Sequence, residues 1–170
     1  MSELTLKPAQ RTISVAAIAL ALVLVDQFTK WLALENLEPG RIVPVVGDLL
    51  AWRLTFNDSA GFSLGFGVTW FFTLLSTTAF LILILLAHKV HNTLWLILAG
   101  VIGGGIVGNL VDRLTREPGF ANGHVVDFIS IPFNFPIFNI ADMAIVAVAF
   151  IVVIRIMQGV PLGKAAPKRS

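Results

Sequence analysis

Residues 12–34 read TISVAAIALALVLVDQFTKWLAL, and whether this stretch stays in the protein decides the fold. Lys7 and Arg11 followed by an apolar core up to Val25 also fit the pattern of a cleaved signal peptide. The apolar character continues past Asp26 and Lys30 into Trp31-Leu32-Ala33-Leu34, which supplies the roughly 20 residues that cross the hydrocarbon of a bilayer. The stretch is therefore read as a first transmembrane helix that keeps the number of spans even.

Three further blocks have the same character, at about 68–87, 93–111 and 140–157. With 56% hydrophobic and 13% charged residues among 170, the chain lies outside the balance of a soluble domain. It reads as one membrane domain, 1–170, with outer connections at about 35–67 and 112–139. The N-terminal arm (Lys7, Arg11), the connection between the second and third spans (Lys89) and the C-terminal end (Arg155, Lys164, Lys168, Arg169) carry seven bases and one acid, Glu3. Five bases and nine acids fall on the opposite side, so the positive-inside rule predicts cytoplasmic termini. No basic face with interleaved aromatics points to nucleic acid. The absence of cysteine excludes disulfides, thiol nucleophiles and thiolate metal sites.

The connection HKVHN, 88–92, is short enough to make the second and third spans an antiparallel hairpin. The outer connections are longer. In the first, IVPVV (42–46) and LLAWRLTF (49–56) have the β-branched and aromatic content of strands, predicting a small extracytoplasmic sheet. The second is rich in Phe, which suits the lipid–water interface, and reads as a loop in which Asp127 ends the segment after Gly123.

Gly103, Gly105 and Gly108 match a dinucleotide fingerprint by accident, because the match lies inside an apolar helix. The informative spacing is the run of fours through Gly100, Gly104, Gly108 and Asp112, and through Gly105, Asn109 and Arg113. Small residues at that spacing let helices approach closely in lipid, and Asn109, Asp112 and Arg113 continue the packed face toward a site or buried partners. Asp26 and Lys30, four apart, read as an ion pair that fixes the first helix. Asn57-Asp58-Ser59 is an N-x-S sequon that reads better as a turn. His88 and His91 give two ligands at most, too few for a metal site, and His124 lies three residues before Asp127.

The remaining pair is Asp127 and Asp142, with Asn139 a plausible N-cap for the last span. Two carboxylates brought together at a partly dry site cannot easily both ionise. One then keeps a proton while the other acts as base, which are the parts needed for amide hydrolysis with an activated water. Two unrelated aspartates, one of them capping a helix, remain the alternative at this stage, because spacing alone does not bring them together.

Five stretches in order, DQFTK (26–30), FNDSAGFSL (56–64), GGGIVGNLVDR (103–113), GHVVDF (123–128) and FNIADM (138–143), resemble the bacterial lipoprotein signal peptidases, the signal peptidase II family. The resemblance covers nearly the whole chain and departs at Asp58 and Ser59. It implies an all-α polytopic membrane protein with four transmembrane helices, a small extracytoplasmic β-cradle and a loop helix. It also implies a multi-pass enzyme of the bacterial cytoplasmic membrane, expected to be monomeric, with cytoplasmic termini and an extracytoplasmic active site. The implied activity is aspartyl endopeptidase cleavage of a prolipoprotein just before a cysteine that carries diacylglycerol, without metal or other cofactor. The catalytic dyad falls on Asp127 and Asp142; Asn57, Asn109, Asp112, Arg113 and Asn139 would support it or contact substrate, with Asp26 and Lys30 as a structural pair. Three other readings stay open from sequence: a serine/lysine peptidase using Ser59 or Ser63 with Lys30, a proton-coupled carrier or small channel, and a non-catalytic assembly protein.

Overall fold

The computed structural model describes residues 6–58 and 69–159. Its elements in order are α1 (Pro8–Asn36), β1 (Val43–Val46), β2 (Leu50–Asn57), α2 (Thr69–Ala87), α3 (Thr93–Thr115), β3 (Val125–Ser130) and α4 (Ile140–Met157). The four helices are each long and apolar enough to cross a membrane. No helix of the described residues lies in either outer connection. Ser59 and Ser63 fall outside the described residues.

The first and third helices run about a turn beyond the expected spans, for polar reasons that an apolar window misses. At the start of α1, Pro8 sits where its missing N–H is no loss, and the Gln10 side chain accepts from the Lys7 backbone N–H at 2.9 Å. In α3, Asp112 and Arg113 are buried and the helix continues through them to Thr115. Asn92 caps its start by accepting from the Leu94 N–H at 2.9 Å.

α3 is the central post, packed against α1, α2 and α4. Its glycines place the other helices. A Cβ on Gly104 would lie 2.7 Å from Leu22 Cβ and 2.8 Å from the Ala19 carbonyl oxygen, so α1 touches the α3 backbone there. A Cβ on Gly105 would lie 2.7 Å from the Ala141 carbonyl oxygen of α4. At Gly108 the intruding atom would be Asp26 Oδ2, at 2.6 Å, so the stripe that brings α1 in ends on a carboxylate. At the other end of the bundle Arg11 is buried and donates to the carbonyls of Leu6 (3.0 Å) and His88 (3.3 Å) while contacting His91 Nδ1. Arg11 thereby ties α1 to the hairpin connection.

The sheet is antiparallel in the order β1-β2-β3. Thr55 pairs with Asp127 and Asn57 with Val125. β3 corrects the sequence reading: Asp127 lies inside a strand and does not end a loop. Val125 through Ile129 are all buried, because one side of the sheet packs on the outer end of α1 through Ala33, Leu54, Val126 and Phe128. A strand buried on both faces lacks the alternation by which an exposed strand is recognised. The chain then folds back so that Ile129 and Phe138 form a bridge, which delivers Asn139 to the start of α4.

Candidate active site

β3 carries Asp127 and the first turn of α4 carries Asp142, and a small set of amides holds both. Asp127 is 1% exposed. Its Oδ2 accepts from Asn57 Nδ2 at 2.9 Å and its Oδ1 from Asn139 Nδ2 at 2.6 Å. Asp142 Oδ1 accepts from Asn109 Nδ2 at 2.8 Å and its Oδ2 from the Asn139 backbone N–H at 3.2 Å. Asn139 is the N-cap of α4, its Oδ1 accepting from the Asp142 N–H at 3.0 Å. One asparagine therefore caps the helix, donates to one carboxylate through its side chain and donates to the other through its backbone.

Burial pushes the Asp127 carboxyl up to about 7, and the negative charge of Asp142 adds to the rise. The hydrogen bonds from Asn57 and Asn139 oppose it without cancelling it. At neutral pH Asp127 thus holds its proton in a large share of molecules, and the charge of Asp142 is one reason why.

Beneath the amides lies an ion cluster larger than the expected pair. Lys30 Nζ is 2.8 Å from Asp26 Oδ2 and also 2.8 Å from Asp112 Oδ2, with all three side chains fully buried. The same Nζ donates to Asn109 Oδ1 at 3.0 Å, so the cluster orients the amide that holds Asp142. Asp26 Oδ1 accepts from the Ala141 N–H of α4 at 3.0 Å. Asp112 accepts from Gln27 Nε2 (3.1 Å), Arg116 Nε (2.7 Å) and the Val126 N–H (3.2 Å), the last being next to Asp127. Gln27 and Arg116 were not foreseen from sequence; Gln27 had a signal, as a polar residue beside Asp26 in an otherwise apolar helix. His124 is not among the partners of Asp127, and its backbone N–H goes to the Glu117 carbonyl at 2.9 Å.

Arg113 is 6% exposed, and its Nε and Nη1 have no hydrogen-bond partner among the described residues. Its guanidinium carbon lies 5.8 Å from the centre of the Phe72 ring. It lines a cavity of about 790 Å³ together with Asn57, Asn109 and Asp142. Its apolar lining comes mainly from the segment 135–138 and from α4. Metal-ligating side chains do not gather in threes or more among the described residues.

Four apolar spans and a pair of amide-held carboxylates, Asp127 buried and Asp142 lining a cavity, define a multi-pass membrane protein with the layout of an enzyme. The signal peptidase (SPase) II family model matches residues 18–158. The lipoprotein signal peptidase of Leifsonia xyli subsp. xyli is 44% identical over 147 residues, covering 86% of this chain and 68% of that protein. That of Mycobacterium avium is 42% identical over 142 residues, covering 84% and 76%. The chain belongs to the signal peptidase II family and is a membrane-embedded peptidase. A solved bacterial membrane enzyme superposes with a TM-score of 0.77 at 24% identity over 91% of this chain and 94% of the other. A second, at 26% identity, gives 0.74 over 85% and 92%.

Proposed function

We propose that the chain is the endopeptidase that removes the signal peptide from diacylglyceryl-modified prolipoproteins, cutting just before the lipidated cysteine. The observation that carries this reading is the pair of carboxylates, Asp127 and Asp142, held by Asn57, Asn109 and Asn139, with Asp142, Asn57 and Asn109 lining one cavity. Asp142, which lines the cavity, takes a proton from water as the water attacks the scissile carbonyl. Asp127, buried and biased toward its protonated form, donates to the carbonyl oxygen. Collapse of the tetrahedral intermediate breaks the C–N bond. The proton gained by Asp142 leaves on the cysteine amine, and the intermediate's hydroxyl returns its proton to Asp127. The guanidinium of Arg113, which lines the same cavity, supplies donors for substrate carbonyls.

In this reading the termini are cytoplasmic, the sheet and carboxylates lie at the extracytoplasmic surface, and one chain suffices. The positions of the bases support the orientation. A serine peptidase that uses Lys30 as base is disfavoured, because Asp26, Asp112 and Asn109 already hold its ammonium. The test is cleavage of a diacylglyceryl-modified pre-lipoprotein by purified wild type, Asp127→Asn and Asp142→Asn, each checked for folding. Both folded variants are expected to lose cleavage, and retained turnover in either one overturns the aspartyl mechanism.

A further inference from the structure

The cavity beside the carboxylates is divided by polarity. Asn57, Asn109, Arg113 and Asp142 form one end, while the α4 wall beyond them is Met143, Val146, Ala147 and Phe150. These four positions follow the i, i+3, i+4, i+7 spacing of one helical face and begin one residue after Asp142. Val146 is 68% and Phe150 67% exposed, whereas Val148, on the adjoining face, is buried against α3. The stripe is thus a wall open toward lipid, with no partner helix of this chain laid over it among the described residues.

We infer that this wall seats an acyl chain of the lipidated cysteine, and that the fit at Ala147 aligns the scissile bond with the carboxylates; the inference rests on the substrate class proposed above. Length selects this occupant over the signal-peptide helix. From Asp142 to Phe150 is about 12 Å at 1.5 Å per residue. That is close to one leaflet of a hydrocarbon core about 30 Å thick, the depth an acyl chain occupies when it hangs from the headgroup level. A spanning helix needs a groove over the full thickness, yet Val153 and Met157, exposed further along α4, take no part in the cavity. Polarity agrees, because the cysteine that bears the chains adjoins the bond to be cut at the polar end.

An acyl chain is already in oil before it binds, so seating it yields little affinity. Its value is orientation, and a misplacement of about 1 Å at the reacting bond costs on the order of 100-fold in rate. The effect therefore belongs to kcat.

The experiment compares cleavage of two substrates that share one peptide and differ only in the acyl groups on cysteine, dipalmitoyl or dibutyryl. The butyryl groups lack the methylenes that would run on along the stripe. In Ala147→Phe the kcat ratio of long-chain to short-chain substrate is expected to fall at least tenfold below the wild-type ratio, with the KM ratio little changed. An unchanged kcat ratio, or a change confined to KM, overturns the inference. If the variant cleaves neither substrate, photo-crosslinking decides: a diazirine at mid-chain of the dipalmitoyl substrate must label residues 143–150 of the wild type, and labelling elsewhere overturns the inference. Loss of the aspartyl mechanism would show instead in Asp127→Asn and Asp142→Asn, whatever the acyl length.

Discussion

Lys30→Met removes the one cation held between Asp26 and Asp112. Both carboxylates lie 2.8 Å from the ammonium and all three side chains are fully buried, so the variant leaves the buried Asp26 without a cationic partner. Breaking a buried pair in this way costs about 3–5 kcal/mol. For a chain of this size that corresponds to a fall in Tm of about 6–20 °C. The assay is thermal unfolding in detergent followed by tryptophan fluorescence. A second substitution sharpens the reasoning. Asp112 also pairs with Arg116 Nε at 2.7 Å, so the Lys30→Met/Asp26→Asn double variant leaves a balanced Asp112–Arg116 pair. It is expected to recover at least half of the lost Tm, a coupling that only interacting sites show. A single variant within about 1 kcal/mol of wild type, or two substitutions whose losses simply add, would refute the account of the cluster. Cleavage should fall with stability in the single variant, because Lys30 also orients Asn109 and through it Asp142.

Other outcomes follow from the same structure. The Asp127 carboxyl sits at about 7 in the folded chain against 3.8 ordinarily, so cleavage should decline as pH rises through about 7 and the proton is lost. By linkage the stability from this group is complete below about pH 4 and is lost as pH rises through about 7. The pH dependence of Tm should therefore flatten over that window in Asp127→Asn. Gly104→Ala drives a Cβ to 2.8 Å from the Ala19 carbonyl oxygen and should cost about 1–3 kcal/mol. Gly103→Ala meets nothing closer than a Leu83 methyl at 3.3 Å and should be far milder, a contrast that paired melting curves can read. Asn92→Ala removes the cap of α3 and should lower stability by about 1 kcal/mol in the same assay.

The spans were legible because a bilayer demands long apolar runs, and Asp26 and Lys30 did not hide the first, since apolar residues resume after them. β1 and β2 were legible from their β-branched and aromatic content. β3 was not, because Val125-Val126-Asp127-Phe128 sits in a Phe-rich connection and pairs with a strand some seventy positions earlier. The candidate residues were individually visible as polar groups in an apolar chain, but their pairing was not. Asp26 was legible as the partner of Lys30 because it is one helical turn away. Asp112, on another helix, carried a weaker signal: it continues the Gly100-Gly104-Gly108 stripe, which turns out to be the face that meets α1. That Asn139 caps α4 could be read locally, whereas its bond to Asp127 depends on the fold-back after β3.

Asn139 ties the birth of the last span to the competence of the enzyme. Its backbone and side chain reach both carboxylates only when α4 has begun at Ile140 and β3 has docked beside it. A nascent chain whose final segment has not yet threaded the bilayer therefore has no assembled carboxylate pair. On the proposed aspartyl mechanism, completion of the topology is what would bring the peptidase into its working form.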